Sequence, residues 1–162
     1  MMAVVLGWGA PTGASGAVPM TSERNTNREP RCEILEYGPY VPLGARWHYD
    51  DPDAATGRSF EIDDVEFTTQ TTIITKKRGD GFGIRYRAYN VPSRAKVTWR
   101  VVYPKPLRGF AEWRRDVRMV ARDHVMHVVY DFDYAWEMVS GRWKFQVLVD
   151  GKAICRLAFT VR

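Results

Sequence analysis

Long stretches of the chain alternate between hydrophobic and polar positions with a period of two. Val65, Phe67, Thr69, Thr71 and Ile73 alternate with Glu66, Thr68, Gln70 and Thr72. Phe82, Ile84, Tyr86 and Ala88 alternate with Arg85 and Arg87, and Val97, Trp99, Val101 and Tyr103 with Thr98 and Arg100. Near the end, Trp143, Phe145, Val147 and Val149 alternate with Lys144 and Gln146. Successive strand residues point to opposite faces, so each run predicts a strand with one buried face. The β-branched and aromatic content of the runs agrees with that assignment. Residues 113–130 are less regular, although His124 to Tyr130 favours strand over helix.

Turn residues punctuate the runs. Arg78-Gly79-Asp80-Gly81 and Val149-Asp150-Gly151-Lys152 are expected to close hairpins, because Asp-Gly tolerates the positive φ of a tight turn. Asn90-Val91-Pro92-Ser93 and Pro104-Lys105-Pro106 read as longer connections. About eight short strands, spaced roughly 8–12 residues apart, point to an all-β antiparallel sandwich over residues 31–162. The absence of a βαβ rhythm argues against a doubly wound nucleotide-binding fold. Trp143, Phe145, Trp136, Tyr86, Trp99 and Phe159 are the expected core.

Composition sharpens the picture only a little. The 162 residues are 45% hydrophobic and 27% charged, which is ordinary globular usage. A net charge of +5 is too small to indicate nucleic acid by itself. The first thirty residues differ from the rest, being rich in small and polar types with no period. No Lys or Arg precedes Arg24, and the apolar run Ala3 to Leu6 breaks at Gly7, so neither a secretory signal nor a membrane span is evident. We expect a disordered leader, or an over-extended start with Met20 as the initiator. A cytoplasmic location is the favoured expectation, with export open. Two cysteines set no disulfide framework. Cys155 alternates with Ala153, Leu157, Phe159 and Val161 and is read as a free buried cysteine, although a single bridge to Cys32 stays open.

Several stretches carry a family resemblance: Glu36-Tyr37-Gly38-Pro39-Tyr40, Gly81-Phe82-Gly83-Ile84-Arg85-Tyr86 and Tyr130-Asp131-Phe132-Asp133. To these add Trp136-Glu137, Gly141, Trp143, Phe145, Asp150-Gly151-Lys152 and Phe159-Thr160-Val161. In this order they resemble a bacterial family described as domain of unknown function 3859. The resemblance covers about Cys32 to Arg162, is most specific in the C-terminal third, and is weakest over Trp47 to Phe60 and Tyr103 to Phe110. It implies an immunoglobulin-like β-sandwich, and neither an activity nor catalytic residues.

Candidate chemistry is sparse. His124 and His127 share a face only on a helix, so a strand excludes a shared zinc ion, and no cofactor is expected. Asp131, Asp133 and Glu137 could offer hard oxygen ligands to calcium, but without the ligand spacing of a calcium loop they read as a solvated strand end. Asp50-Asp51-Pro52-Asp53 likewise reads as a solvent loop. Gly79-x-Gly81-x-Gly83 lacks the helix and the Lys-Ser/Thr of a phosphate loop. Ser15, Ser140 and Cys155 have no base placed to activate them.

The broadest feature is positive. Arg85, Arg87 and Arg100 project outward from two consecutive strands, Tyr89 shares the face of Arg85 and Arg87, and Arg114, Arg115 and Arg118 could extend the patch. Such a surface could hold an acidic ligand or polyanion. We weigh it below a non-enzymatic interaction or structural module whose partner, another protein in the first instance, the sequence does not name. Nucleic acid is disfavoured by the absence of RNP-type motifs.

Overall fold

Where alternation is strict, the apolar row of each strand finds a facing layer, and the result is two stacked sheets. The computed structural model describes residues 29–117 and 125–162. The leader to residue 28, with Ser15 and Met20, lies outside the described residues, as do Arg118 and His124. The described strands are β1 (Arg31–Asp50), β2 (Arg58–Phe67), β3 (Ile73–Ile74), β4 (Gly81–Tyr89), β5 (Val97–Leu107), β6 (Phe110–Val117), β7 (Val125–Asp131), β8 (Gly141–Val149) and β9 (Lys152–Val161). One sheet runs β2-β1-β4-β7 and the other β3-β9-β8-β5-β6. All neighbours are antiparallel except β3, which runs parallel to β9. Among the described residues no helix is long and apolar enough to cross a membrane.

The layers meet on Phe82 of β4. Its ring centroid lies 5.4 Å from Phe132, 5.6 Å from Trp143, 5.3 Å from Phe145 and 5.2 Å from Phe159. Most of these pairs are edge-to-face, the arrangement that ring quadrupoles favour. Trp143 donates its indole N–H to the Val139 carbonyl at 2.9 Å, and Trp99 donates to the Tyr86 hydroxyl at 2.8 Å. Trp143, Phe145, Tyr86 and Phe159 are fully buried as expected, whereas Trp99 and Trp136 pack half-buried at the margin.

Three local expectations need correction. The run Val65–Ile73 is not one strand. It breaks after Phe67, where the Thr68 amide donates to Pro39 and the chain passes over Gly38 towards the other sheet. Gly38 has φ +128°, and a Cβ there would lie 2.1 Å from the Thr69 carbonyl oxygen, so the crossing needs glycine. Arg78–Gly81 therefore links two sheets instead of closing a hairpin. Pro104–Pro106 lies inside β5, where pairing with β6 slips between Val102 and Leu107, a place where missing proline donors cost no ladder bond. The turn itself is Arg108–Gly109, both at positive φ. The Asp150–Gly151 hairpin forms as read, with φ of 47° and 81°.

Cys155 is not free. It is bonded to Cys32 across the two sheets, with Cα atoms 5.4 Å apart. Alternation placed Cys155 on the core face, but it carries no information about which residue of the facing sheet stands opposite. The bond ties β1 to β9 over 123 residues of sequence. Closing so long a loop in the unfolded chain stabilises the fold by roughly 2–5 kcal/mol. Reduction is therefore expected to lower the melting temperature of the wild type and to leave that of a Cys32→Ser/Cys155→Ser double variant unmoved, as calorimetry with and without reductant would read.

Candidate functional site

Strand β1 serves two partners in succession. Arg31–Tyr40 pairs with β4, and Tyr40–Asp50 pairs with β2. Its second half and β2 thus make a two-stranded arm that leaves the body of the sheet at Tyr40. Two strands alone are marginal in water, so the arm needs external anchors.

The first anchor is Asp131, at the end of β7 and 7% exposed. The Tyr40 hydroxyl donates to Asp131 Oδ1, and Arg46 Nη2 stands 2.7 Å from Oδ2. The Arg46 guanidinium also lies 3.9 Å above the Phe60 ring of β2. Gly81 makes room for this junction: a Cβ there would fall 2.1 Å from Asp131 Oδ1 and 2.4 Å from the Tyr40 ring. Burial pushes the Asp131 carboxyl above its usual range, against the pull of Tyr40 and Arg46, and burial likewise raises the Tyr40 phenol.

The second anchor is β6. Arg115 donates to the Tyr49 hydroxyl at 2.6 Å and pairs with Glu61. Trp113 donates to Asp51 Oδ2 at 3.1 Å, and Ser59 donates to the same oxygen. Asp51 is thus no solvent residue. Burial acts to raise its pKa, and these hydrogen bonds outweigh that and hold it low. The third anchor is Arg85, which lies 2.6 Å from Glu36 and 3.1 Å from Asp64 and donates to the Val65 carbonyl. His127 of β7 faces Ile62 and Asp64 across the cleft on the same side.

These contacts dissolve the expected cationic face. Arg85 and Arg87 point outward from one sheet and Arg100 from the other, because consecutive strands β4 and β5 belong to different layers. Arg100 is held by Glu112 at 2.7 Å and by Gln146 at 3.3 Å, and Arg114 pairs with Glu112 too. Tyr89 donates to Glu33 at 2.6 Å with Arg31 stacked on its ring. Arg85 and Arg100 are structural clamps on opposite sides of the sandwich.

The acidic candidates line one small cavity, but they are already engaged, Asp131 and Asp133 with Arg46 at 2.7 and 3.9 Å. β7 ends at Asp131, so the exposed Asp133 does not continue its face. Glu137 is 2% exposed and accepts from Tyr130 at 2.8 Å and from the Tyr134 amide at 2.7 Å, capping the single helical turn Ala135–Glu137. Burial raises its carboxyl and, with Glu137 nearby, the phenols of Tyr130 and Tyr103. Among the described residues no three His, Cys, Asp or Glu are grouped to hold a metal ion. The cavity beside Asp131 and Glu137 measures about 60 Å³, which suits a few waters and not a substrate. A larger, open cleft of about 740 Å³ lies between β2, β6 and β7, with Trp99, Trp113 and Met126 among its walls.

What the arm leaves outside is the candidate surface. Val41 is 44% exposed, Leu43 42% and Trp47 53%. Their cross-strand partners are Glu66, Asp64 and Glu61 respectively, so each apolar side chain stands beside a carboxylate. No clean alternating apolar row marks this segment in the sequence. Tyr40 and Asp131 both sit in the motifs quoted for the family resemblance, but nothing in a single sequence shows that they meet.

Comparison with known proteins adds the following. The family described as "Domain of unknown function (DUF3859)" matches residues 28–161. The structure is similar to that of an immunoglobulin-like protein from Pseudomonas aeruginosa, with a TM-score of 0.56 at 22% identity over 83% of this chain and 98% of that one. That likeness is one of fold. It is also similar in part to an alkylpurine DNA glycosylase from Pseudomonas fluorescens bound to DNA containing an abasic-site analogue. There the TM-score is 0.41 at 16% identity, over 56% of this chain and 28% of the other. No curated protein matches.

Half-buried His127 has a measurable signature. Burial lowers its pKa from 6.5, Arg85 adds to the effect, and Asp64 and the Ile62 backbone oppose it. A histidine with a depressed folded pKa is protonated first in the unfolded chain, so its contribution to stability begins to be lost below about 6.5 and is lost as pH falls through the lower folded value. Asp131 and Glu137, with raised values, act in the opposite direction. The difference between wild type and His127→Gln isolates the histidine: the melting temperature of the variant is expected to fall less between about pH 7 and pH 5.

Proposed function

The chain belongs to the DUF3859 family, and from that premise we propose that it is a non-enzymatic interaction module that docks another protein through the β1–β2 arm. One observation carries the reading. Three large apolar side chains, a tryptophan among them, stand close to half exposed on an arm that ion pairs hold in place. Val41 and Leu43 share one face of the arm and Trp47 lies on the other; exposed apolar side chains with a polar rim mark interaction surfaces, and tryptophan is among the side chains most enriched at binding hot spots. The buried carboxylates support the same reading, since Asp131 and Glu137 are engaged in anchoring the arm and capping a turn.

The test is site-specific photo-cross-linking in the organism that makes the protein. A photoreactive phenylalanine replacing Trp47 is expected to give a discrete protein adduct that the same probe replacing the exposed Arg156 on β9 does not. Equal labelling at both positions would sink the proposal. Trp47→Ala itself is expected to change stability by less than about 0.5 kcal/mol, because the side chain is largely in solvent.

A further inference from the structure

We infer that the outer face of the β3-β9-β8-β5-β6 sheet binds an acidic polysaccharide, an unbranched sugar chain bearing carboxylates. The arm belongs to the other sheet, and neither inference depends on the other. Antiparallel partners project to the same side of a sheet, so the register fixes what this face carries. Arg156 stands opposite Gln146, Gln146 opposite Arg100 and Arg100 opposite Arg114, one row across four strands. Lys144 and Arg142 follow along β8, beside Ala158 and Thr160 of β9. Trp143, Phe145 and Val147 are fully buried, which sets the outward direction of Arg142, Lys144 and Gln146.

The charges on this face do not cancel. Glu112 and Asp116 are the two carboxylates at its paired positions, and both lie on β6. Arg100 and Arg114 share Glu112, and Asp116 is held by Lys96 at 2.8 Å. Among the described residues no carboxylate is ion-paired with Arg142, Lys144 or Arg156, and all three are exposed. The other sheet mixes its signs: Glu33 stands opposite Arg87 and Glu36 opposite Arg85. The three unneutralised cations are also close together. Arg142 and Lys144 are about 7 Å apart along β8, and Arg156 lies about 7–8 Å from Lys144 on the diagonal, so one short oligomer meets all three.

The neighbours of these cations select the occupant. No aromatic ring projects outward at the paired positions of β5, β8 and β9, so nucleic-acid bases would find nothing to stack on. Polar groups and small side chains stand there instead. Gln146 accepts from Arg100 at 3.3 Å through its carbonyl oxygen, which leaves its amide hydrogens for a sugar hydroxyl, and Thr160 offers a hydroxyl beside Arg142. The guanidinium forks of Arg142 and Arg156 match carboxylates in bidentate geometry.

The experiment measures binding of the full chain to labelled oligogalacturonate by fluorescence anisotropy, beside its neutral methyl ester and a single-stranded oligonucleotide. Cosedimentation with phosphatidylglycerol vesicles is run in parallel. Oligogalacturonate is expected to bind at least about tenfold more tightly than the ester, and to lose about tenfold as salt rises fourfold. Lys144→Glu/Arg156→Glu is expected to lose about tenfold, and the milder Lys144→Gln/Arg156→Gln about fivefold, which keeps the result readable if charge reversal unfolds the sheet. Arg31→Glu/Arg87→Glu removes the same charge from the other sheet and is expected to change binding by less than about twofold. No binding of oligogalacturonate, equal binding of its ester, or equal losses in the two charge-reversed variants overturns the inference. Tighter binding of the oligonucleotide or of the vesicles makes the occupant a nucleic acid or a membrane, and also overturns it.

Discussion

A buried carboxylate sits where the sandwich stops being regular. At Asp131 the end of β7, the start of β4 and the bend of β1 converge, and Tyr40, Arg46 and Gly81 all depend on it. Without this junction β1 would have no reason to abandon β4 for β2, and the arm would have no fixed direction. An ion pair so enclosed contributes little net stability, since desolvation offsets most of its attraction, but removing one partner leaves a stranded charge. Its effect is to select one geometry. Glycine at position 81 is part of the same constraint, because any side chain would occupy the space that the carboxylate and phenol share.

The guanidinium groups show why the arginines read from the sequence as one row do not form one cationic face. Arg46, Arg85, Arg100 and Arg115 each face a carboxylate on another strand, and three of them hold the arm against the body. Planar guanidinium groups suit this work because one group can meet a carboxylate and a second acceptor at once. Arg85 does so, joining Glu36, Asp64 and the Val65 carbonyl. On the arm, these arginines are internal architecture rather than a free cationic surface.

Most of the strand content was legible because burial on one face writes a period of two into the sequence. The Phe82–Tyr86 and Trp143–Val149 runs reported their inward rows correctly for that reason. Pairing between layers leaves no such trace. Alternation could not show that Arg85 and Arg100 lie on opposite sides, nor that Cys32 faces Cys155. The Val65–Ile73 run misled because its threonines alternate as a strand does, while Gly38 and Pro39 impose a crossing from elsewhere in the sequence. The arm was the least legible part: exposed on most positions of its first strand, it carries no clean apolar row to read.

The bond between Cys32 and Cys155 has a mechanical consequence. It links the second residue of β1 to a residue seven positions from the C-terminus, enclosing nearly the whole fold in a covalent ring. Tension applied at the two ends of the domain would travel through the sulfur atoms and bypass β2 to β8 altogether. Only the last residues of β9 and the parallel contact with β3 would be exposed to peeling. The oxidised domain would therefore behave under pulling as a short inextensible link, whereas the reduced one could pay out more than a hundred residues of chain.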